Sequence, residues 1–284
     1  MERRPFCINM SEYKISLLLP TRGRASALRR SILSAVQTAD DIDSFQIMIG
    51  FDNDDIKTID YFVKELQPEL DDLGVNYQAH VFEPMGYIRL NEYVNGLAKH
   101  SDADWLVFWN DDAIMETHGW DTIIDGYTGQ FKVLAFHTHN GHPYSIFPIV
   151  PKAWFTLFGY LSPHQISDAW ISQQAYCLDI WERIEVDVTH DRFDLTGNNK
   201  DEIFEKRPML EGNPKNPRDF HSKIWYDKRF NDLRKLITYM DTNGLDTTFV
   251  RSVFAGKQDP WEKLKNNDVN SQVSQWKPMW GKII

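Results

Sequence analysis

One alternation constrains this chain more than any other feature. Short apolar runs that read as strands are followed by stretches with helical periodicity, three times over in the first part of the sequence. "KISLLLP" (14–20) is a buried strand closed by Pro20, and in "ASALRRSILSAVQ" Leu28, Ile32 and Val36 fall on one helix face. "FQIMIGFDNDD" (45–55) is a second strand, after which Ile59, Phe62, Leu66 and Leu70 mark a second amphipathic helix. "NYQAHVFE" (76–83) alternates as a third strand. "YIRLNEYVNGLAKH" (87–100) is helical, with Leu90, Tyr93, Val94 and Leu97 on one side, and "DWLVFW" (104–109) is a fourth strand. Such alternation predicts an α/β fold: a mostly parallel sheet flanked by helices.

In sheets of this kind ligands sit at the carboxyl ends of the strands. Strands one, two and four end in "PTRGR", "DNDD" and "NDDA", so three polar clusters are expected along one edge. The stretch "LVFWNDDAIMETHGW" (106–120) drives an apolar strand into two adjacent carboxylates. Buried unpaired carboxylates are costly, so this pair belongs either to a solvated turn or around something positive. "KVLAF" (132–136) and "SIFPIV" (145–150) are further strand candidates. Beyond about residue 150 the pattern reads as helical, with "RPMLEGNPKNPRD" (207–219) as a loop and two tryptophans in the tail.

Composition narrows the function classes. The chain has 284 residues, 42% of them hydrophobic and 13% aromatic, enough for a substantial core. A net charge of -10 gives no general attraction to nucleic acid or anionic membrane. Cys7 and Cys177 lack metal spacing and are too few for a disulfide framework. No secretory signal and no transmembrane segment of about 18 apolar residues is evident. A soluble, cytoplasmic protein is the expectation.

"ISLLLPTRGRASALRRSILSAV", "IMIGFDNDD" and "ADWLVFWNDDAIMETHGW" together resemble the family 2-type glycosyltransferases with the GT-A (Rossmann-like) fold, over roughly residues 14–195. The resemblance implies a GT-A domain over 1–195 and a helical C-terminal extension over 196–284. It implies a metal-dependent, inverting transfer of a sugar from a nucleotide-sugar donor, a UDP-sugar by preference, with Mn²⁺ or Mg²⁺. Pro20, Thr21 and Arg22 would border the nucleotide, and Asp52 would accept a hydrogen bond from the base or ribose. Asn110, Asp111 and Asp112 stand at the D-x-D positions, with Asp112 as the main metal ligand and His190 as a second one. Asp168 would be the catalytic base, with Asp179 in reserve, and Arg89 would reach a phosphate. The pattern departs at Asn110, at Arg89-Leu90-Asn91 where relatives carry an Arg-Asn pair, and at Ser167. The acceptor is open: a glycan, a protein or a modified nucleobase.

Other motifs bear on further classes. "FDNDD" lacks the glycine and later glutamate of an EF-hand loop. "FHTHNGHP" (136–143) offers His137 and His139 on one strand face, but no fourth zinc ligand stands nearby. "PTRGR" presents Arg22 and Arg24 as phosphate candidates without being a P-loop, and no Gly-x-Gly-x-x-Gly element exists. Two rivals remain: a sugar-phosphate nucleotidyltransferase, whose phosphate loop is absent, and a non-catalytic nucleotide- or sugar-binding module.

Overall fold

The computed structural model describes residues 13–138, 145–198, 220 and 222–258. The chain runs β1 (Ile15–Thr21), α1 (Ala25–Thr38), β2 (Phe45–Asp52), α2 (Ile56–Tyr61), α3 (Gln67–Asp72), β3 (Tyr77–Phe82), α4 (Leu90–His100), β4 (Trp105–Phe108), β5 (Ala113–Met115), α5 (Trp120–Asp125), β6 (Val133–Thr138), β7 (Pro148–Pro151), α6 (Lys152–Phe158), α7 (Ser167–Leu178), β8 (Trp181–His190), α8 (Phe193–Thr196), α9 (Lys223–Thr242) and α10 (Thr248–Phe254). The second helix of the sequence reading is α2 and α3 joined by a π-helical turn at Phe62–Leu66.

Among the described residues eight strands form one sheet in the order β3-β2-β1-β4-β7-β6-β8-β5. Strands β3, β2, β1 and β4 are mutually parallel, while β7 runs antiparallel to both β4 and β6. The alternation of side chains along a strand divides the core in two. Ile15, Leu17 and Leu19 of β1 join one cluster with Leu28 and Ile32 of α1 and with Phe62, Leu66 and Leu70. Leu18 of β1 and Met48 of β2 face the other, with Val94 and Leu97 of α4, Trp154 of α6, Ile171 of α7 and Leu236 of α9. Covering both faces with helices is what allows such continuous apolar runs in parallel strands.

Two strands depart from the sequence expectation. Strand β7 is the one expected in "SIFPIV" (145–150), but the reading of the chain beyond it as helical is corrected by β8, a ten-residue strand at Trp181–His190. Ile184, Val186 and Val188 are buried while Glu185 and Asp187 are exposed, the alternation of a half-buried strand. Short β5 pairs antiparallel with its end, Ala113 opposite His190 and Met115 opposite Val188. The expected helix in "NKDEIFEKR", the loop at 207–219, the tail tryptophans, Cys7 and His139 lie outside the described residues. Among the described residues no helix is long and apolar enough to cross a membrane.

Candidate functional site

Register brings the polar strand ends together. Leu18 lies opposite Phe108 across β1 and β4, so Thr21, three residues on, is level with Asp111. Its hydroxyl donates to Asp111 Oδ2 at 2.8 Å. Beyond Phe108 the chain turns, and its backbone is tied down. Trp109 N donates to Leu18 O, and the Asn110 carbonyl accepts from both Ser31 Oγ and Ala113 N. The indole of Trp109 in turn donates to Ser31 Oγ at 2.9 Å. The Asp111–Asp112 turn is therefore clamped by β1, α1 and β5. It is also deeply buried, at 6% and 5% exposure.

Two groups answer this buried negative charge. Arg24 Nη1 lies 3.0 Å from Asp111 Oδ1 and 3.2 Å from Asp112 Oδ2. His190, set opposite Ala113 by the β5–β8 register, places Nε2 3.3 Å from Asp112 Oδ1. That oxygen has no aligned hydrogen bond, and neither does His190 Nδ1. Burial pushes the Asp111 carboxyl up to about 6, against the pull of Arg24. Burial opposes ionisation of Asp112 too, but His190 and Arg24 outweigh it and hold that carboxyl below its ordinary range. Asp191, whose N–H donates to the Asp112 carbonyl at 2.7 Å, extends the cluster to Arg30.

A second cluster forms at the end of β2. Asp52, 3% exposed, accepts from Arg22 Nη1 at 2.7 Å and from the Tyr93 hydroxyl. Arg22 also pairs with Asp54, and Gly23 N donates to Asp55 at 2.6 Å. Gly23 sits at φ +70°, a conformation that favours glycine, and the reversal there sends Arg22 and Arg24 to different clusters. Pro20, opposite Gly50 of β2, borders the same edge.

The remaining sequence candidates sit apart from these clusters. Asp168 is half-buried in the first turn of α7, where Oδ1 accepts from Ala169 N at 2.8 Å. Asp179 is exposed at the other end of that helix. Arg89 pairs with Glu92 on its own helix rather than with a strand-end carboxylate. Tyr93, assigned by sequence to an apolar helix face, and Arg24, considered only for phosphate, are the contributors that sequence reasoning underrated.

The fit of a divalent ion can be tested on these atoms. Among the described residues no three His, Cys, Asp or Glu side chains already converge as a metal cluster. Asp112 Oδ1 and His190 Nε2 nevertheless make a fitting pair, being 3.3 Å apart. Two adjacent ligands of an octahedral ion with bonds of about 2.1 Å stand roughly 3 Å apart. Carboxylate oxygen suits Mg²⁺ and Mn²⁺, and an imidazole favours the transition metal.

An α/β sheet of this order, with its acidic turn at the end of the fourth strand, has the GT-A-like fold of glycosyltransferases. Among solved structures the chain is similar to a mannosyltransferase of Pyrobaculum calidifontis, PcManGT, in complex with GDP-Man and Mn²⁺. The TM-score is 0.51 at 9% identity, covering 96% of this chain and 85% of that one. It is also similar to TarS of S. aureus, with a TM-score of 0.50 at 12% identity, covering 78% of this chain. The match spans about half of TarS, 49% of its length. No protein-family model and no curated protein matches the sequence.

Proposed function

We propose that the chain transfers a sugar from a nucleotide-sugar donor, a UDP-sugar by preference, to a nucleophilic acceptor. The observation that supports this most is the buried Asp111–Asp112 turn on a GT-A-like fold, with one Asp112 oxygen left without a hydrogen bond beside His190. Asp112 and His190 would hold Mn²⁺ or Mg²⁺, which when bound neutralises charge on the leaving diphosphate. Thr21 keeps Asp111 in place, while Arg22 and Tyr93 orient Asp52 to accept from the nucleoside. Pro20 and Asn110 border the donor. Arg89, engaged with Glu92, is assigned no role. Asp168 would take the acceptor proton as the acceptor's bond to the anomeric carbon forms. The electron pair of the breaking bond leaves with the diphosphate, and this single displacement inverts the carbon. A placed base of this kind contributes ~10²–10⁴-fold.

The test is the unfolding midpoint against UDP-, GDP-, dTDP- and CMP-sugars, each with and without Mn²⁺. A ligand at 100 times its Kd stabilises by about 2.7 kcal/mol. The expected result is a metal-dependent rise with one nucleotide class, lost in Asp112→Ala. No rise with any donor, or a rise that survives Asp112→Ala, overturns the reading.

A further inference from the structure

The residue least explained by this reading is Arg24. A guanidinium that fills the space between Asp111 and Asp112 stands in the way of an ion that would use the same carboxylates. Its side chain is only 13% exposed, against 8% and 6% for the two aspartates, so the three charges form a buried set. We propose that Arg24 is an exchangeable cation. In the metal-free protein it neutralises the carboxylate pair; when a divalent ion and the donor enter together, it turns to the donor's diphosphate. Metal and nucleotide are then bound weakly apart and tightly together. This rests on the donor-site reading above.

Four observations support the exchange. First, the contact of Arg24 and the contact an ion would make fall on different oxygens of the Asp112 carboxyl group. Arg24 takes Asp112 Oδ2, while Oδ1 is left without a hydrogen bond beside His190. An ion at Oδ1 would thus face a like charge a few ångströms away, and repulsion between the two favours the departure of Arg24. Second, Asp111 does not depend on Arg24 for its position, because Thr21 holds its other oxygen at 2.8 Å. Third, Gly23 before it has positive φ, and no heavy atom lies within 4 Å of where a Cβ would stand, so space is open beside that position. Fourth, Arg24 occupies the N-cap position of the 14-residue α1 without a side-chain cap hydrogen bond. A diphosphate engaged by the guanidinium fork there would also meet the positive end of that helix. Arg22 cannot take over this role while it bridges Asp52 and Asp54.

The experiment is a Mn²⁺ titration of the full chain, followed by loss of the paramagnetic resonance signal of free Mn²⁺, with and without UDP. Wild type is compared with Arg24→Gln. In wild type, UDP should tighten Mn²⁺ binding by a factor in the range of about 5–150, as expected for coupled sites. In Arg24→Gln, Mn²⁺ without nucleotide should bind about tenfold tighter than in wild type, and the enhancement by UDP should shrink. The gain shows that Arg24 opposes the ion, and the smaller enhancement by UDP shows that it turns to the diphosphate rather than staying in place. If Arg24→Gln does not fold, Arg24→Met keeps the apolar stem without the charge and is read in the same way. The inference is overturned if the variant binds Mn²⁺ alone no better than wild type, or if UDP enhances Mn²⁺ binding equally in both. Those results leave the donor-site reading standing. Absence of Mn²⁺ binding in every protein, even with UDP, overturns both.

Discussion

Asp111 and Asp112 are neighbours in one turn, equally buried, yet their carboxyls shift in opposite directions. Desolvation dominates at Asp111, whereas Asp112 has His190 and Arg24 to favour its charge. The consequence for stability has a definite sign. A carboxyl raised to about 6 binds its proton more tightly folded than unfolded, where it titrates at 3.8. Its contribution is therefore fully present below about pH 4 and is lost as pH rises through 6. Asp112 acts oppositely, losing its contribution only as pH falls through a value below 3.8. Between pH 4 and 6 the metal-free protein should thus gain stability from Asp111 as pH falls, by at most about 3 kcal/mol. Urea unfolding across that window should show the slope in wild type, and Asp111→Asn should flatten it; an identical slope in both would refute the assignment. The acidic pair itself was legible, because two carboxylates directly after a buried strand is a costly arrangement. Its partners were less so. Tyr93 falls on an apolar face by periodicity, and only the fold shows its hydroxyl reaching Asp52 across 41 residues of sequence. An amphipathic tyrosine serves core and site at once, and sequence reports the first role alone.

Among the elements, β1, β2 and β4 were readable because both of their faces are covered, which demands unbroken apolar runs. The pair β5 and β8 was not. β5 has three residues, too few for any period to show. β8 follows α7, a helix with eleven of its twelve residues buried, Ser172, Gln173 and Gln174 among them. A helix without a polar face offers no amphipathic boundary to mark where the alternation of Ile184, Val186 and Val188 begins. That strand matters, since its end delivers His190 to Asp112. Helix α5 shows how a connection is fastened with few residues. Asp121, 1% exposed, accepts from the backbone N–H of Asp40 and Asp41, both at 2.9 Å, and from Ser44 Oγ at 3.3 Å. It ties the α1–β2 connection to the first turn of α5. Asp121→Ala strips these donors of a charged acceptor and should destabilise by about 2–3 kcal/mol in chemical denaturation. Asp121→Asn, which keeps one acceptor oxygen, should cost less; equal effects would mean that the charge and its hydrogen bonds matter little there.

At the scale of the molecule, the two halves of the sheet contribute unequally to the proposed reaction, the second half lending the donor site only His190 of β8. The parallel strands β1, β2 and β4 bring Thr21, Asp52, Asp111 and Asp112 to one edge. Asp168 comes from α7, which packs over β6, β7 and β8 on the other half. This division yields a prediction about how defects separate. Tyr93→Phe removes a hydrogen bond to Asp52 and another from Met85 N, leaving the β6, β7 and β8 half untouched. It should weaken nucleotide binding, with each lost contact contributing about 0.5–1.5 kcal/mol, or up to roughly tenfold in Kd apiece. Asp168→Asn should behave in reverse: donor Kd unchanged, turnover reduced by ~10²–10⁴-fold. Calorimetric donor affinity and single-turnover transfer, measured on both variants, separate the two outcomes. Loss of donor binding in Asp168→Asn would place that carboxylate in the nucleotide pocket, and full turnover would remove it from the chemistry, leaving Asp179 as the next residue to substitute. Because a purely non-catalytic module predicts donor binding that responds to Tyr93→Phe with no turnover in any variant, the same pair of measurements also decides between the transferase and its strongest rival.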